Sequence, residues 1–516
     1  MLIGDLLRDT AARRPDHVAL ISGDRRLSYA QFDDQANRLA NALLALSLER
    51  GARVAVLSAN RAEYAIAYFG LARTPFVSAH CSTRCTPAEL AFMLDHLGAE
   101  YLLVESRFAD MVDAVRAGLR KPVHCIFLDE PGERIGVGDF RLAELIGSHS
   151  PTPPDVSRSA TAPFAITMTG GTTGVPKFVV VSHKARCASV VAAFEDFGIG
   201  DSDVVVASTP LFHTAGLFVW FGTAVMAGAS VVMLEAWDVE RFIQLVSREK
   251  ITAAFFVPSQ LNDLISHPMF DPEPLASLRN IGYAGAPMGR ALFERTRIAL
   301  PHVAFTENYG QSEACPITIR RESDGVEKLG TVGRPAINAE VAILDSDRNL
   351  VGPGEVGDIV TRGDQLFDGY FGDPEETAKA FRAPDGWLLT GDVGYLDADG
   401  FLTLVDRSKD MLVSGGENIY PAEIENALYQ HEAVAECAVF GIPDERWGEV
   451  PAAHVVLSPQ ADVAAEELID FCASRIARFK RPRLVKFVAS LPKTPVGKIR
   501  KDAIRAPYWE GRDRRI

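Results

Sequence analysis

Thr167-Met168-Thr169-Gly170-Gly171-Thr172-Thr173-Gly174-Val175-Pro176-Lys177 follows the apolar run Phe164-Ala165-Ile166 and leads into Phe178-Val179-Val180-Val181. Glycines let successive backbone N–H groups turn inward, threonine hydroxyls add donors, and the lysine adds a mobile positive charge. That is chemistry for gripping a polyphosphate. It is not the usual P-loop, which needs Gly-Lys-Ser/Thr in succession and a helix after it. Here Val175-Pro176 separates Gly174 from Lys177, and the continuation reads as a strand. The segment is therefore read as a hairpin clasp, a Gly/Thr-rich turn between two strands. The bland alternative is a plain turn; the lysine and the flanking strands argue against it.

Working outward, Ser28 to Glu49 reads as a capped helix, with Leu39, Ala40, Leu43 and Leu44 at helical spacing. Strands are expected at Arg53–Leu57, Tyr101–Val104, Val204–Ala207, Ser230–Leu234 and Ala253–Val257. Helix and strand signals alternating in this way imply α/β architecture with mainly parallel sheets. After about residue 325 the texture changes to short strands and tight turns, such as Gly352-Pro353-Gly354-Glu355, and suggests a small β-rich subdomain. The polar run Asp406-Arg407-Ser408-Lys409-Asp410 marks another change, and a new mixed unit follows. The expected domains are 1–406 and 407–516.

The 516 residues exceed one simple core. A net charge of −15 argues against a general nucleic-acid binder. That charge is uneven: residues 407–516 hold 17 basic and 16 acidic residues, so 17 − 16 = +1 and the rest holds −15 − 1 = −16. Between 475 and 505 eleven basic residues face the single acid Asp502, either as a solvated basic face or as part of an anion-receptive domain. No apolar run approaches the ~20 residues of a membrane span, and the N-terminal residues lack the pattern of a signal peptide. Seven scattered cysteines suit a reducing cytoplasm. His80-Cys81 with Cys85 lacks a second ligand pair, so these residues are read as loop and core rather than zinc ligands.

Five more segments join the clasp: Pro210-Leu211-Phe212-His213-Thr214-Ala215-Gly216, Gly282-Tyr283-Ala284-Gly285-Ala286-Pro287, Asn308-Tyr309-Gly310-Gln311-Ser312-Glu313, Thr390-Gly391-Asp392, and Pro492-Lys493-Thr494-Pro495-Val496-Gly497-Lys498. Each alone is weak, but their order and spacing are specific. Over nearly its whole length the chain resembles the adenylate-forming superfamily of acyl-CoA and aryl-CoA synthetases, peptide-synthetase adenylation domains and firefly luciferase. The resemblance implies a large N-terminal domain of doubly wound α/β subdomains with a small β-barrel-like subdomain, followed by a small mobile α+β C-terminal domain. It implies ATP, Mg²⁺ and CoA as the molecules used, together with a small-molecule carboxylic acid. A homodimer is left open.

By the same resemblance, Thr169, Gly170, Gly171, Thr172, Thr173, Gly174 and Lys177 hold the β- and γ-phosphates. Ser312 bonds a phosphate oxygen, and Glu313 positions Mg²⁺, which takes hard oxygen ligands and few of them from protein. Tyr309, within Asn308-Tyr309-Gly310, stacks on adenine against a wall of Gly285, Ala286 and Pro287. Asp392 accepts from the ribose hydroxyls, and Arg407 adds a ribose contact. Lys498 reaches the carboxylate and α-phosphate. Lys409 falls at the hinge, Gly415, Gly416 and Glu417 line the pantetheine tunnel, and His213 is an aromatic gate between the acid site and that tunnel. Two departures stand out: Gly170 replaces the usual serine, and Phe178 replaces a glycine.

The segment around Phe212, His213, Leu217, Phe218 and Trp220 carries no acid for an amino-acid substrate's ammonium and no arginine for a second carboxylate. With Phe256 it suggests a pocket for an apolar monocarboxylic acid: aliphatic, alicyclic or aromatic. The acceptor is read as free CoA, with a separate acyl carrier protein as the alternative. Two other classes fit less well. A serine hydrolase built on Gly310-Gln311-Ser312-Glu313-Ala314 lacks the final glycine of its elbow and leaves the clasp unexplained. A silent binding protein would have no need of Lys177, Glu313, Asp392 and Lys498 together.

Overall fold

The computed structural model describes all residues except 47, 131, 133–135, 170–176, 287, 408–409, 415–416, 445, 460, 494–498 and 511–516. Two large sheets organise the first part of the chain. The first has nine strands in the order Arg334–Pro335, Ala314–Arg320, Ala304–Gln311, Asn280–Ala284, Ala253–Phe256, Val204–Ala207, Ser230–Met233, Val18–Ser22, Arg25–Ser28. From Ala304–Gln311 to Val18–Ser22 all neighbours are parallel. The second has eight strands, in the order Gly369–Tyr370, Lys177–Ser182, Pro163–Thr169, Val77–His80, Arg53–Leu57, Tyr101–Val104, His124–Phe127, Phe140–Arg141, parallel from Pro163–Thr169 onward.

Alternation along the strands stacks these sheets into layers. Val205, Val231 and Phe255 of the first sheet share one core with Val54, Val56 and Leu103 of the second, across the helices Tyr29–Leu44, Ala62–Leu71 and His183–Phe197. The next residue along each strand (Val206, Val232, Phe256) faces a separate outer core beneath Val239–Glu249 and Pro258–Ser266. Ala55, Leu57, Leu102 and Val104 do the same on the far side of the second sheet, under Pro87–Leu97. The order is helix, sheet, helix, sheet, helix, as near-continuous apolar strands require.

The β-rich subdomain is a four-stranded antiparallel sheet of Ala339–Leu344, Gly357–Gly363, Leu388–Leu396 and Leu402–Arg407. After it, Leu412–Ser414, Glu417–Ile419, Val434–Asp444, Gly448–Leu457 and Leu484–Phe487 form a mixed sheet, with Pro421–Leu428 and Ala465–Ala473 packed on its core. Basic residues of the 475–505 run pair with acids here: Lys480 with Glu423 at 2.7 Å, Lys493 with Glu436 at 2.5 Å and Lys501 with Glu425 at 2.8 Å.

The helix expected over 28–49 spans Tyr29–Leu44. It opens on a capping box, in which Ser28 accepts from the Gln31 N–H and the Gln31 amide accepts from the Ser28 N–H. It ends early because the Ala45 and Leu46 N–H groups close on carbonyls three residues back, tightening the last turn before the chain reverses into Arg53–Leu57. The His80 ring nitrogens meet the Tyr64 hydroxyl at 2.7 Å and the Ser78 hydroxyl at 3.0 Å, and burial presses its pKa down to about 3. Cys81 and Cys85 are buried, and burial pushes the Cys85 thiol up to about 11. No helix among the described residues is long and apolar enough to cross a membrane.

Candidate active site

Four of the motif segments meet because each lies at the carboxyl end of a strand in the parallel part of a sheet, where open α/β sheets form their binding crevices, while Asp392 comes from the antiparallel strand Leu388–Leu396. Thr209–Gly216 follows Val204–Ala207, Gly285 follows Asn280–Ala284, and Asn308–Ser312 closes Ala304–Gln311. Thr169 ends Pro163–Thr169 in the other sheet. One residue that sequence reasoning missed ties the two sheets together at this level. Asn60, just past Arg53–Leu57, donates to the carbonyls of Ala207 and Thr209 at 2.9 and 3.0 Å and accepts from the Leu211 N–H at 2.7 Å.

The flanks of the clasp form a hairpin. Pro163–Thr169 and Lys177–Ser182 pair antiparallel up to Thr169 opposite Lys177. The turn itself, Gly170 to Pro176 with Gly171, Thr172, Thr173 and Gly174, lies outside the described residues, so the Gly170 departure is not placed. Phe178 is placed. Successive strand residues point to opposite faces, and its ring turns into the outer core. There it stacks on His96 at 4.7 Å, while the Phe371 N–H donates to the Phe178 carbonyl at 2.8 Å. The bulky side chain thus packs on the face opposite Lys177.

A chain of hydroxyls joins three motifs. Thr167 and Thr214 are 3.3 Å apart, and Thr214 donates to Ser312 Oγ at 3.1 Å. Beneath it lies fully buried Arg186, from the inner face of His183–Phe197. Its Nη2 donates to the Ser312 carbonyl at 2.6 Å, its guanidinium lies 5.0 Å from the Phe218 ring, and its Nε has no hydrogen-bond partner among the described residues. Burial lowers its pKa. No motif pointed to this arginine, because an inner helix face is where apolar residues are expected.

Tyr309 and Asp392 come together: Tyr309 Oη donates to Asp392 Oδ2 at 2.6 Å. A glycine with φ +77°, Gly391, bends the strand Leu388–Leu396 just before Asp392. Arg407 stands opposite Asp392 in register, described by its backbone alone. Gly285, at φ +88°, turns the chain after Ala284, and a Cβ there would meet Val257 Cγ1 at 3.4 Å. Asn308 is buried, and neither its amide nitrogen nor its oxygen has a partner among the described residues. A buried amide is costly without partners, and a heterocycle with donor and acceptor edges fits it. Next along the strand, half-buried Glu307 meets Tyr283 Oη at 2.9 Å and Arg320 Nε at 3.2 Å. Burial raises the Glu307 pKa, and Arg320 opposes the rise.

Glu313 is buried and accepts from Tyr370 Oη at 2.7 Å. Tyr370 is brought here by the edge pairing of Gly369–Tyr370 with Lys177–Ser182. Its ring lies 4.8 Å from Lys177 Nζ, and Lys177 is ion-paired to Glu376 at 2.5 Å. Lys177 and Lys379 together hold the Glu376 carboxyl down at about 2. Tyr370 and Glu376 were not singled out from the sequence; their signal is an aromatic and a carboxylate on the strand edge and helix beside the clasp.

His213 is half-buried at the start of the π-helix Ala215–Phe221, its N–H on the Pro210 carbonyl at 3.1 Å. π-Helical turns recur at functional sites. Phe212 is adjacent, with Leu217 in the inner core. Phe256 sits in the outer core, its ring 5.3 Å from both Trp237 and Phe242, on the face of the sheet away from Leu217. Lys498, Lys409, Pro287, Gly415 and Gly416 lie outside the described residues, and of Glu417 only the backbone is described.

A family model for the AMP-binding enzyme matches residues 7–371, and one for the AMP-binding enzyme C-terminal domain matches 423–498. The chain belongs to the AMP-binding enzyme family. As an AMP-forming acid–thiol ligase of the acyl-CoA synthetase type, it is 33% identical over 510 residues to a long-chain-fatty-acid–CoA ligase of Mycobacterium tuberculosis, covering 98% of each chain. It is 34% identical to a feruloyl-CoA synthase of an Amycolatopsis species, over 96% of this chain and 97% of that one. An anthranilate CoA ligase, AuaEII, solved with anthranoyl-AMP, superposes with a TM-score of 0.90 at 27% identity, over 98% of this ligase and 97% of that chain.

Proposed function

We propose that the protein activates an apolar monocarboxylic acid with ATP and passes the acyl group to the thiol of CoA. In the first half-reaction the substrate carboxylate attacks the α-phosphorus, the bond to the β-phosphate oxygen breaks, and pyrophosphate leaves. In the second, the CoA sulfur attacks the acyl carbon and the bond to AMP breaks. Such chemistry rests on positioning and on charge stabilisation rather than on a protein nucleophile. The observation that carries the reading is the convergence of separately recognised motifs on one crevice, through the Thr167–Thr214–Ser312 hydroxyl chain.

Within this reading Tyr309 and Asn308 take the adenine, Asp392 and Arg407 the ribose, and Lys177, Thr169 and Ser312 the phosphates. The buried Glu313 carboxylate, a hard oxygen donor, fits Mg²⁺, which neutralises phosphate charge when bound. Lys498 serves the adenylation step, Gly415 to Glu417 the CoA tunnel, and His213 the gate between the two. We also place the domain boundary at 406/407, with Lys409 as the hinge of a mobile C-terminal domain, and the enzyme in the cytoplasm, where its buried free cysteines stay reduced.

The test of the reaction is pyrophosphate release over a panel of acids, followed by thioester formation with CoA or with a purified acyl carrier protein. Release on adding an apolar acid, with CoA as the better acceptor, is the expected result. An apolar pocket discriminates by only about 1–3 kcal/mol per methylene, so a graded series of acids should be used. Malonate and α-amino acids should be rejected far more strongly, because their extra charge would lie unpaired. Preference for either would overturn the pocket. His213→Ala should change the ranking of acids; an unchanged ranking and rate would leave His213 a packing residue.

The hinge makes its own prediction. Proline fixes φ near −65° and restricts rotation. Lys409→Pro should spare pyrophosphate release and block thioester formation. Parent rates in both half-reactions would put the hinge elsewhere.

A further inference from the structure

Lys177, read above as a ligand of the β- and γ-phosphates, already holds an anion. Its Nζ lies 2.5 Å from Glu376 Oε2 and 4.8 Å from the centre of the Tyr370 ring, whose hydroxyl in turn engages Glu313 at 2.7 Å. The elements concerned are set side by side by backbone pairing. Gly369–Tyr370 adds to the edge of the hairpin strand that begins at Lys177, and helix Pro374–Ala380 follows directly, with Tyr370 N–H bonded to Thr377 Oγ1 at 2.9 Å. The Glu376 N–H is fixed on Asp373 Oδ1 at 2.9 Å, so the carboxylate is presented to Lys177 from a helix start.

Glu376 also has a second cation. Lys379, on the same helix, lies 2.9 Å from its other oxygen, Oε1. Lys177 and Glu376 are both partly exposed, with side-chain exposures of 26% and 30%, so a ligand can reach between them. Removal of Lys177 would therefore leave Glu376 paired rather than stranded, and the exchange costs little.

We propose that Glu376 is a stand-in for the nucleotide's polyphosphate: it holds Lys177 in the unliganded enzyme and yields it to the β- and γ-phosphates, keeping Lys379. Tyr370 is the platform on which Lys177 moves. Glu376 is thus a positioning residue acting through Lys177, and it sets how strongly the site favours ATP over AMP, which has no β- or γ-phosphate for Lys177 to grip. The proposal rests on the phosphate role of Lys177.

The experiment is calorimetric binding of the magnesium complex of α,β-methylene-ATP, and separately of AMP, to the full chain without acid or CoA. The variants are Glu376→Gln, Lys177→Met and the double variant. Glu376→Gln is expected to tighten the triphosphate analogue about two- to fivefold, the scale of a partly exposed ion pair, and to leave AMP unchanged. Lys177→Met is expected to weaken the analogue and not AMP, and Glu376→Gln on that background is expected to add nothing. An unchanged analogue affinity in Glu376→Gln, with the Lys177→Met effect intact, overturns the proposal alone. Equal tightening with and without Lys177 overturns it too, since the carboxylate would then act by general repulsion. No effect of Lys177→Met overturns the phosphate role of Lys177 and the proposal with it.

Discussion

Lys498→Ala is expected to lower acid-dependent pyrophosphate release by about 10²–10³-fold, the loss typical when one main electrostatic stabiliser of a transition state is removed. The reason is where the charge crowds. During adenylation an anionic carboxylate approaches a phosphorus already surrounded by anionic oxygens, and the lysine at the end of Pro492 to Lys498 is the cation assigned there. Thioester formation from a supplied acyl-adenylate involves no such approach of two anions, so it should fall far less. Measuring the two half-reactions separately decides the matter. An equal loss in both would remove Lys498 from the adenylation step.

The second large effect falls on stability. Arg320→Leu is expected to destabilise the sheet that carries Asn308 and Tyr309 by about 3 kcal/mol, the low end for a broken buried pair, because it leaves the half-buried Glu307 carboxylate without its cation. Arg320 is almost wholly buried, with Nε 3.2 Å from Glu307 Oε2 and Nη2 2.5 Å from the Tyr283 hydroxyl. The sign of the pH dependence follows. Burial already makes folded Glu307 hold its proton more tightly than an unfolded carboxyl, whose pKa is about 4.3, and loss of Arg320 raises it further. A raised acid favours the folded state at low pH and opposes it once ionised. The deficit of the variant should be full at neutral pH and narrow as the pH falls towards the folded pKa of Glu307. Urea midpoints at two pH values test this, and Glu307→Gln added to Arg320→Leu should recover part of the loss. A pH-independent deficit would assign the effect to lost packing against Phe293, whose ring lies 5.2 Å from the guanidinium.

Glu307 also shows why the site was only partly legible. It directly precedes Asn308-Tyr309, yet nothing local announces its partners Arg320 and Tyr283. Phe255 and Phe256 are both apolar neighbours in the sequence, and only the period of two along a strand sends Phe255 to the inner core and Phe256 to the outer one, away from His213. Phe178 departs from the family's glycine in the sequence, and only the fold shows it accommodated, because the neighbouring strand and helix supply Phe371 and His96 on the opposite face from Lys177.

By itself the sequence determined what is local or periodic. Apolar runs of strand length, the capping box at Ser28, the Gly/Thr clasp and the set of motif segments specify α/β architecture and the family. Each depends on residues within a few positions of one another. Only the tertiary structure decided which side chains meet. Tyr309 finds Asp392 across 83 positions, Arg186 finds Ser312 across 126, and Lys177 finds Glu376 across 199. Those partners are set by the order of strands in the sheets and by the edge pairing of Gly369–Tyr370. Strand order is chosen by the burial of both faces of two sheets at once, a sum over the whole chain that no short segment carries.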